Sequence, residues 1–194
     1  MARIDKSKLT KLEIVRVASR MFLEKGYSNT PVKAIATELE MSTGNLTFHF
    51  PSKEHLLAEL VKMLRGFQWQ MIEKEANEGV SSMLAICIEL MTVASACEES
   101  EIAKDFFLST YSSPICLDYI RKSAVERAKV IFDEYCKGWT EEQYVEAEIL
   151  ISGINYATLM TTDTTVSLEA RIKGALNNIM MIYNVPEKLR KEKI

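Results

Sequence analysis

Between Ile35 and Lys53 the chain reads IATELEMSTGNLTFHFPSK, two short helical stretches on either side of a tight turn. Ile35, Ala36 and Leu39 give the first stretch an apolar side. Met41-Ser42-Thr43-Gly44 interrupts it, and Ser42 or Thr43 can cap the next helix by accepting from free backbone N–H groups. Leu46 and Phe50 lie four residues apart and share an inward face, which leaves Thr43, Asn45, Thr47 and His49 pointing elsewhere. This is the layout of a helix-turn-helix, whose second helix enters the major groove of DNA.

The remainder must be compatible with that unit. Seven Gly and four Pro in 194 residues, with little β-branched alternation, predict an all-α protein. No charge-free apolar run reaches the ~18 residues needed to span a bilayer, and the first residues lack the apolar core of a secretory signal. Cys87, Cys97, Cys116 and Cys136 form no CxxC pair, so neither a zinc site nor a disulfide framework is predicted. They read as core thiols of a cytoplasmic protein with no metal and no cofactor. The net charge of −3 is unevenly spread. Residues 1–55 hold nine Lys/Arg against six Asp/Glu, and the rest fifteen against twenty-one. A mildly basic head on an acidic body suits a DNA-reading module joined to a part that stays off DNA.

Read in order, a first helix from about Lys8 to Lys25 buries Leu12, Val15, Ala18 and Phe22, with Gly26 as its C-terminal cap. Thr30-Pro31 opens the second, Thr capping and Pro in the first turn, running to about Glu40. Ser52 caps a long helix with inner face Leu56, Leu60, Met63/Leu64, Phe67 and Met71, ended by Asn77-Glu78-Gly79. Ser81 to Ala96 is apolar nearly all round apart from Glu89, as a helix buried among others should be. Ser100 caps a short helix to Tyr111, and Ser113-Pro114 starts one ending at Gly138. Thr140 and Gln143 form a capping box for a helix continuing past Met160. A loop at Thr161-Thr162-Asp163-Thr164 precedes a last helix striped by Leu168, Ile172, Ala175/Leu176, Ile179 and Ile182/Tyr183, then a frayed basic tail from Lys188 to Lys193. Nine helices are predicted.

The ordered pattern resembles the TetR family of transcriptional regulators. It runs from Phe22-x-x-Lys25-Gly26-Tyr27 and Thr30-x-x-x-x-Ile35-Ala36 through Met41-Ser42-x-Gly44-x-Leu46-x-x-His49-Phe50 to Ser52-Lys53-Glu54-x-Leu56. The resemblance covers roughly Leu12 to Leu60; later helices match only in number, length and order. It implies a three-helix DNA-binding domain at 1–51 and a helical domain at 52–194 that binds an effector and dimerises through its last two long helices. It also implies a homodimer on an inverted-repeat, double-stranded DNA operator, released when an unidentified small molecule binds.

Carried onto this chain, Ser42, Thr43, Gly44, Asn45, Thr47, Phe48 and His49 form the recognition helix and its lead-in. Thr30, Lys33 and Lys53 would meet phosphate at helix starts. The family usually has Tyr where Thr47 stands, and often Tyr or Trp at Phe48. With no Lys or Arg on this helix, weaker or more A·T-leaning binding is predicted: Thr47 can touch a thymine methyl and Asn45 can pair with adenine.

The enclosed space of the body is predicted to be lined by Phe67, Met71, Cys87, Met91, Phe107, Tyr111, Tyr119 and Tyr156. Glu89, a carboxylate on an apolar helix, either faces a cationic or hydroxylated ligand or is bridged to an Arg such as Arg121 or Arg127. His49 and His55 have no acid partner spaced for a triad, and no nucleophile elbow, phosphate loop or metal cluster points to an enzyme. The competing reading is a TetR-like adaptor for a protein partner with weak or no specific DNA binding.

Overall fold

In the computed structural model, which describes residues 6–77, 82–161 and 165–194, every regular element is an α-helix. They are α1 (Lys6–Lys25), α2 (Val32–Glu38), α3 (Thr43–His49), α4 (Lys53–Asn77), α5 (Ser82–Glu99), α6 (Glu101–Ser112), α7 (Pro114–Ile131), α8 (Glu141–Met160), α9 (Leu168–Ile182) and α10 (Glu187–Lys193). The expected Glu78, Gly79, Ser81 and 162–164 boundaries fall outside the described residues.

α1 ends at Gly26, whose φ of +86° is the left-handed conformation that closes a helix and that a side chain would disfavour. α1 buries Ile14, Val15, Val17, Ala18, Met21 and Phe22, whereas Leu12, expected inside, is exposed. Thr30 does not cap α2. Its buried hydroxyl donates to the carbonyls of Gly26 (2.7 Å) and Met21 (3.3 Å), and its N–H goes to Tyr27, so Pro31 takes the N-cap position. Ser42 caps α3 by accepting from the Asn45 N–H at 3.1 Å. Ser52 turns its hydroxyl to the His55 ring (2.8 Å) ahead of α4.

Two clusters of buried side chains hold these helices together. One joins α1, α2, α3 and the start of α4 to Phe106 of α6 and to Cys116 and Ile120 of α7. The other is built from α5, α7, α8 and α9, with Tyr183 stacked on Phe132 at 4.2 Å. α6 has a foot in both: Phe106 lies in the first and Phe107 packs against each.

Several helix limits differ from the sequence reading. α7 stops at Ile131, and turns carry the chain through Phe132, Tyr135 and Cys136 to Gly138, at φ +82°. α8 has the full Thr140–Gln143 capping box but ends at Met160. The basic tail is a tenth helix docked on α9, where Arg190 donates to Asn177 Oδ1 (3.0 Å) and the Val185 carbonyl (2.6 Å). All four cysteines are buried and unpaired; burial pushes the Cys97 thiol up to about 11. Among the described residues no helix is long and apolar enough to cross a membrane.

Candidate DNA interface and effector cavity

Leu46 and Phe50 anchor α3 to the first cluster, so its other face points outward. Thr43, Gly44 and Asn45 are exposed there, and Phe48 is 81% exposed, its ring edge-on to His49 at 5.3 Å. An aromatic left that bare gains nothing from the fold itself, because its apolar surface stays in water. Thr47 is half-buried and its hydroxyl donates back to the carbonyls of Thr43 (3.0 Å) and Gly44 (3.1 Å), leaving its methyl as the outward contact. Lys33 is exposed on α2. Lys53 holds its ammonium 4.0 Å over the Tyr27 ring, where burial lowers its pKa against the opposing pull of Asp105. Thr30, buried with hydroxyl and N–H both committed to carbonyls, is removed from the phosphate contacts.

The second feature is a cavity of about 260 Å³ in the body. α4 lends it Val61, Leu64, Arg65 and Gln68, and α6 lends it Phe106, Phe107, Thr110 and Tyr111. Of the lining residues expected from sequence, Glu89, Phe107 and Tyr111 are there. Phe67, Met71 and Met91 are not: they face outward, with Phe67 62% exposed. Cys87 is sealed in the core, Tyr119 leans on the first cluster below Lys62, and Tyr156 lies outside, edge-on to Tyr111 at 6.5 Å.

Glu89 is bridged. Arg65 donates to one carboxylate oxygen at 2.9 Å and Arg127 to the other at 3.2 Å, whereas Arg121 turns to Ser152 (3.4 Å). A second acid, Glu148 of α8, lies buried in the same wall and accepts from the Tyr183 hydroxyl. Burial raises the Glu148 pKa, while Tyr183, Arg65 and Arg127 restrain the rise. Burial, and then repulsion from Arg65, lower that of Arg127. Sequence reasoning missed Arg65 and Glu148, although each continues a buried stripe: Leu57, Val61, Arg65 on α4 and Tyr144, Glu148, Ile151 on α8.

α6, like α4 and α7, lines the cavity and also packs against the head. Asp105, two residues before Phe107, accepts from the Ser28 N–H at 2.8 Å and from the Ser28 hydroxyl, in the turn between α1 and α2.

Residues 14–60 match the family described as bacterial regulatory proteins, tetR family. An uncharacterized HTH-type transcriptional regulator of Bacillus subtilis, YuxN, is 42% identical over 48 residues, which make up 25% of this chain and 16% of that protein. The HTH-type transcriptional regulator QacR of Staphylococcus aureus is 37% identical over 58 residues, 30% of each chain. These matches thus span less than a third of either curated relative. In fold, the chain is similar to Thermus thermophilus FadR, a TetR-family repressor solved with lauroyl-CoA. The TM-score is 0.65 at 16% identity, covering 88% of this chain and 93% of that one.

Proposed function

The chain is a member of the TetR family by its N-terminal domain, and on that premise we propose that it is a cytoplasmic repressor that leaves an inverted-repeat operator when a small molecule enters the cavity. Residues 1–51 read DNA and residues 52–194 bind the effector and dimerise. Asn45, Phe48 and the Thr47 methyl meet base edges, and Lys33 with the exposed start of α3 meets phosphate. The protein has no catalytic role in this reading. The observation that carries it is the single helix α6, which lines the cavity with Phe107, Thr110 and Tyr111 and grips the DNA-reading head through Asp105 and Ser28. An effector that binds better when α6 is displaced must thereby favour a different placement of the head, which is a population shift between two states.

The neighbour solved with lauroyl-CoA supports a ligand-binding role for a body of this fold. The test is in-vitro selection of bound DNA by the purified protein near physiological salt with competitor DNA. Recovery of one palindromic site, bound less tightly as salt rises, upholds the reading. Recovery of only non-specific DNA moves the adaptor reading ahead, which the uncharged face of α3 and the bare Phe48 ring would then serve.

A further inference from the structure

Resting on the reading of the cavity as an effector site, we propose that its occupant is a small organic carboxylate with an apolar body, the anionic head held by Arg65 and Thr110. Two guanidiniums converge on one carboxylate here: Arg65 and Arg127 each give a single nitrogen to Glu89. The Nε of Arg65 is buried with no hydrogen-bond partner, and so is the hydroxyl of Thr110, which is 3% exposed. A buried donor without a partner is costly, so a small shift of these two side chains, both on residues that line the cavity, would gain a hydrogen bond at each once a polar ligand atom enters. The other acid in the wall is already engaged, since Glu148 accepts from Tyr183. Glu148 therefore leaves the two guanidiniums to share Glu89 as the one carboxylate they ion-pair with among the described residues.

This arrangement discriminates by charge. A cation would have to displace two arginines from Glu89 and then sit beside them. A neutral ligand would accept from the two donors without adding a second carboxylate for the paired guanidiniums. A carboxylate satisfies both, and charge-assisted hydrogen bonds are the stronger kind. Much of the remaining wall is apolar, with Val61, Leu64, Ile86, Leu90, Val93 and Ile120, while Gln68, Asn155 and Tyr111 add polar groups. The volume sets the scale of the body: a cavity of about 150 Å³ holds benzene, so 260 Å³ suits an occupant of on the order of ten non-hydrogen atoms.

Octanoate, 1-octanol and octylammonium share one chain and differ in head charge, so titration calorimetry of each against the DNA-free protein isolates the effect. Octanoate should bind at least tenfold tighter than octanol, with octylammonium weaker still. Arg65→Gln should weaken octanoate at least tenfold while leaving octanol nearly unchanged. Thr110→Val, which keeps the shape and so guards against misfolding, should weaken octanoate several-fold. Equal affinity for octanoate and octanol, tighter binding of octylammonium, absence of octanoate binding at millimolar concentration, or indifference of octanoate to Thr110→Val overturns the proposal. Because no DNA is present, the outcome separates from that of the regulator reading. A selected operator with no octanoate binding defeats the ligand class alone, and octanoate binding with no operator defeats the repressor alone.

Discussion

At the scale of single residues, Phe48 and Thr47 make opposite use of adjacent places on α3. Phe48 contributes little to the fold, so Phe48→Ala should leave the melting temperature nearly unchanged. Covering such a ring on DNA is worth about 1.5–3 kcal/mol, so the same change should weaken operator binding roughly tenfold or more in fluorescence anisotropy. Thr47 has spent its hydroxyl on the carbonyls of its own helix, so Thr47→Val should alter operator affinity less than about twofold. Thr47→Tyr, which supplies a hydroxyl able to reach phosphate, should tighten it. Glu148 offers a test of a different kind. Its pKa is raised in the folded state, so it binds its proton more tightly there than in the unfolded chain. Its contribution to stability is therefore full below the ordinary glutamate range and declines as pH rises through the folded value. Glu148→Gln should flatten the fall in melting temperature as pH rises above the ordinary glutamate range, because the amide cannot ionise. Glu89 was legible in the sequence as a lone charge on an apolar helix. Glu148 carried the same signal more weakly, since α8 also bears Glu141, Glu142 and Glu146 on exposed positions.

At the scale of elements, the turn between α1 and α2 is held from two sides, by Gly26 within it and by Asp105 from α6. A Cβ at Gly26 would stand 3.0 Å from Asp105 Oδ2, on a backbone already at φ +86°. Gly26→Ala should therefore cost at least about 1–2 kcal/mol in urea denaturation for the left-handed backbone alone. Asp105→Ala should cost about 0.5–1.5 kcal/mol by releasing Ser28. The pair should cost less than their sum, because the contact between them is absent from the double variant; additivity would mean that Asp105 yields freely. This turn was legible, since a Gly at a helix end and a Thr-Pro sequence announce a boundary, although the Thr hydroxyl went inward instead of capping. Other limits were hidden for a physical reason. A helix apolar all round, as α5 is, can face its neighbours in several rotations, and α4 carries apolar side chains on two faces; only packing chooses among them. Hence Phe67, Met71 and Met91 were placed inside and lie outside, while Arg65 was overlooked. The tail from Lys188 reads as frayed by charge alone, and its docking depends on Asn177 and the Val185 carbonyl, which no local pattern reveals.

For the whole molecule, the proposed repressor needs two heads held apart at the 34–36 Å of a DNA turn. The outward face of α8 carries Val145, Ile149, Leu150 and Tyr156, and α9 adds Met181, all exposed. Gly153 on α8 and Gly174 on α9 have open space where a Cβ would stand, so another backbone can approach closely at both. A contiguous apolar face of this kind fits an isologous contact with a second copy of the chain. Ile149→Glu with Leu150→Glu places two charges in that face without disturbing the core, since both side chains point away from it. The double variant should keep its helical circular dichroism and sediment as a monomer at micromolar concentration, where the parent sediments as a dimer. Its operator affinity should fall by about a hundredfold or more, because linking two half-site contacts multiplies affinity by roughly 10²–10⁴. A variant that remained dimeric would direct attention to the other exposed apolar stripe, Met63, Phe67 and Met71 of α4 beside Ile88 and Met91 of α5.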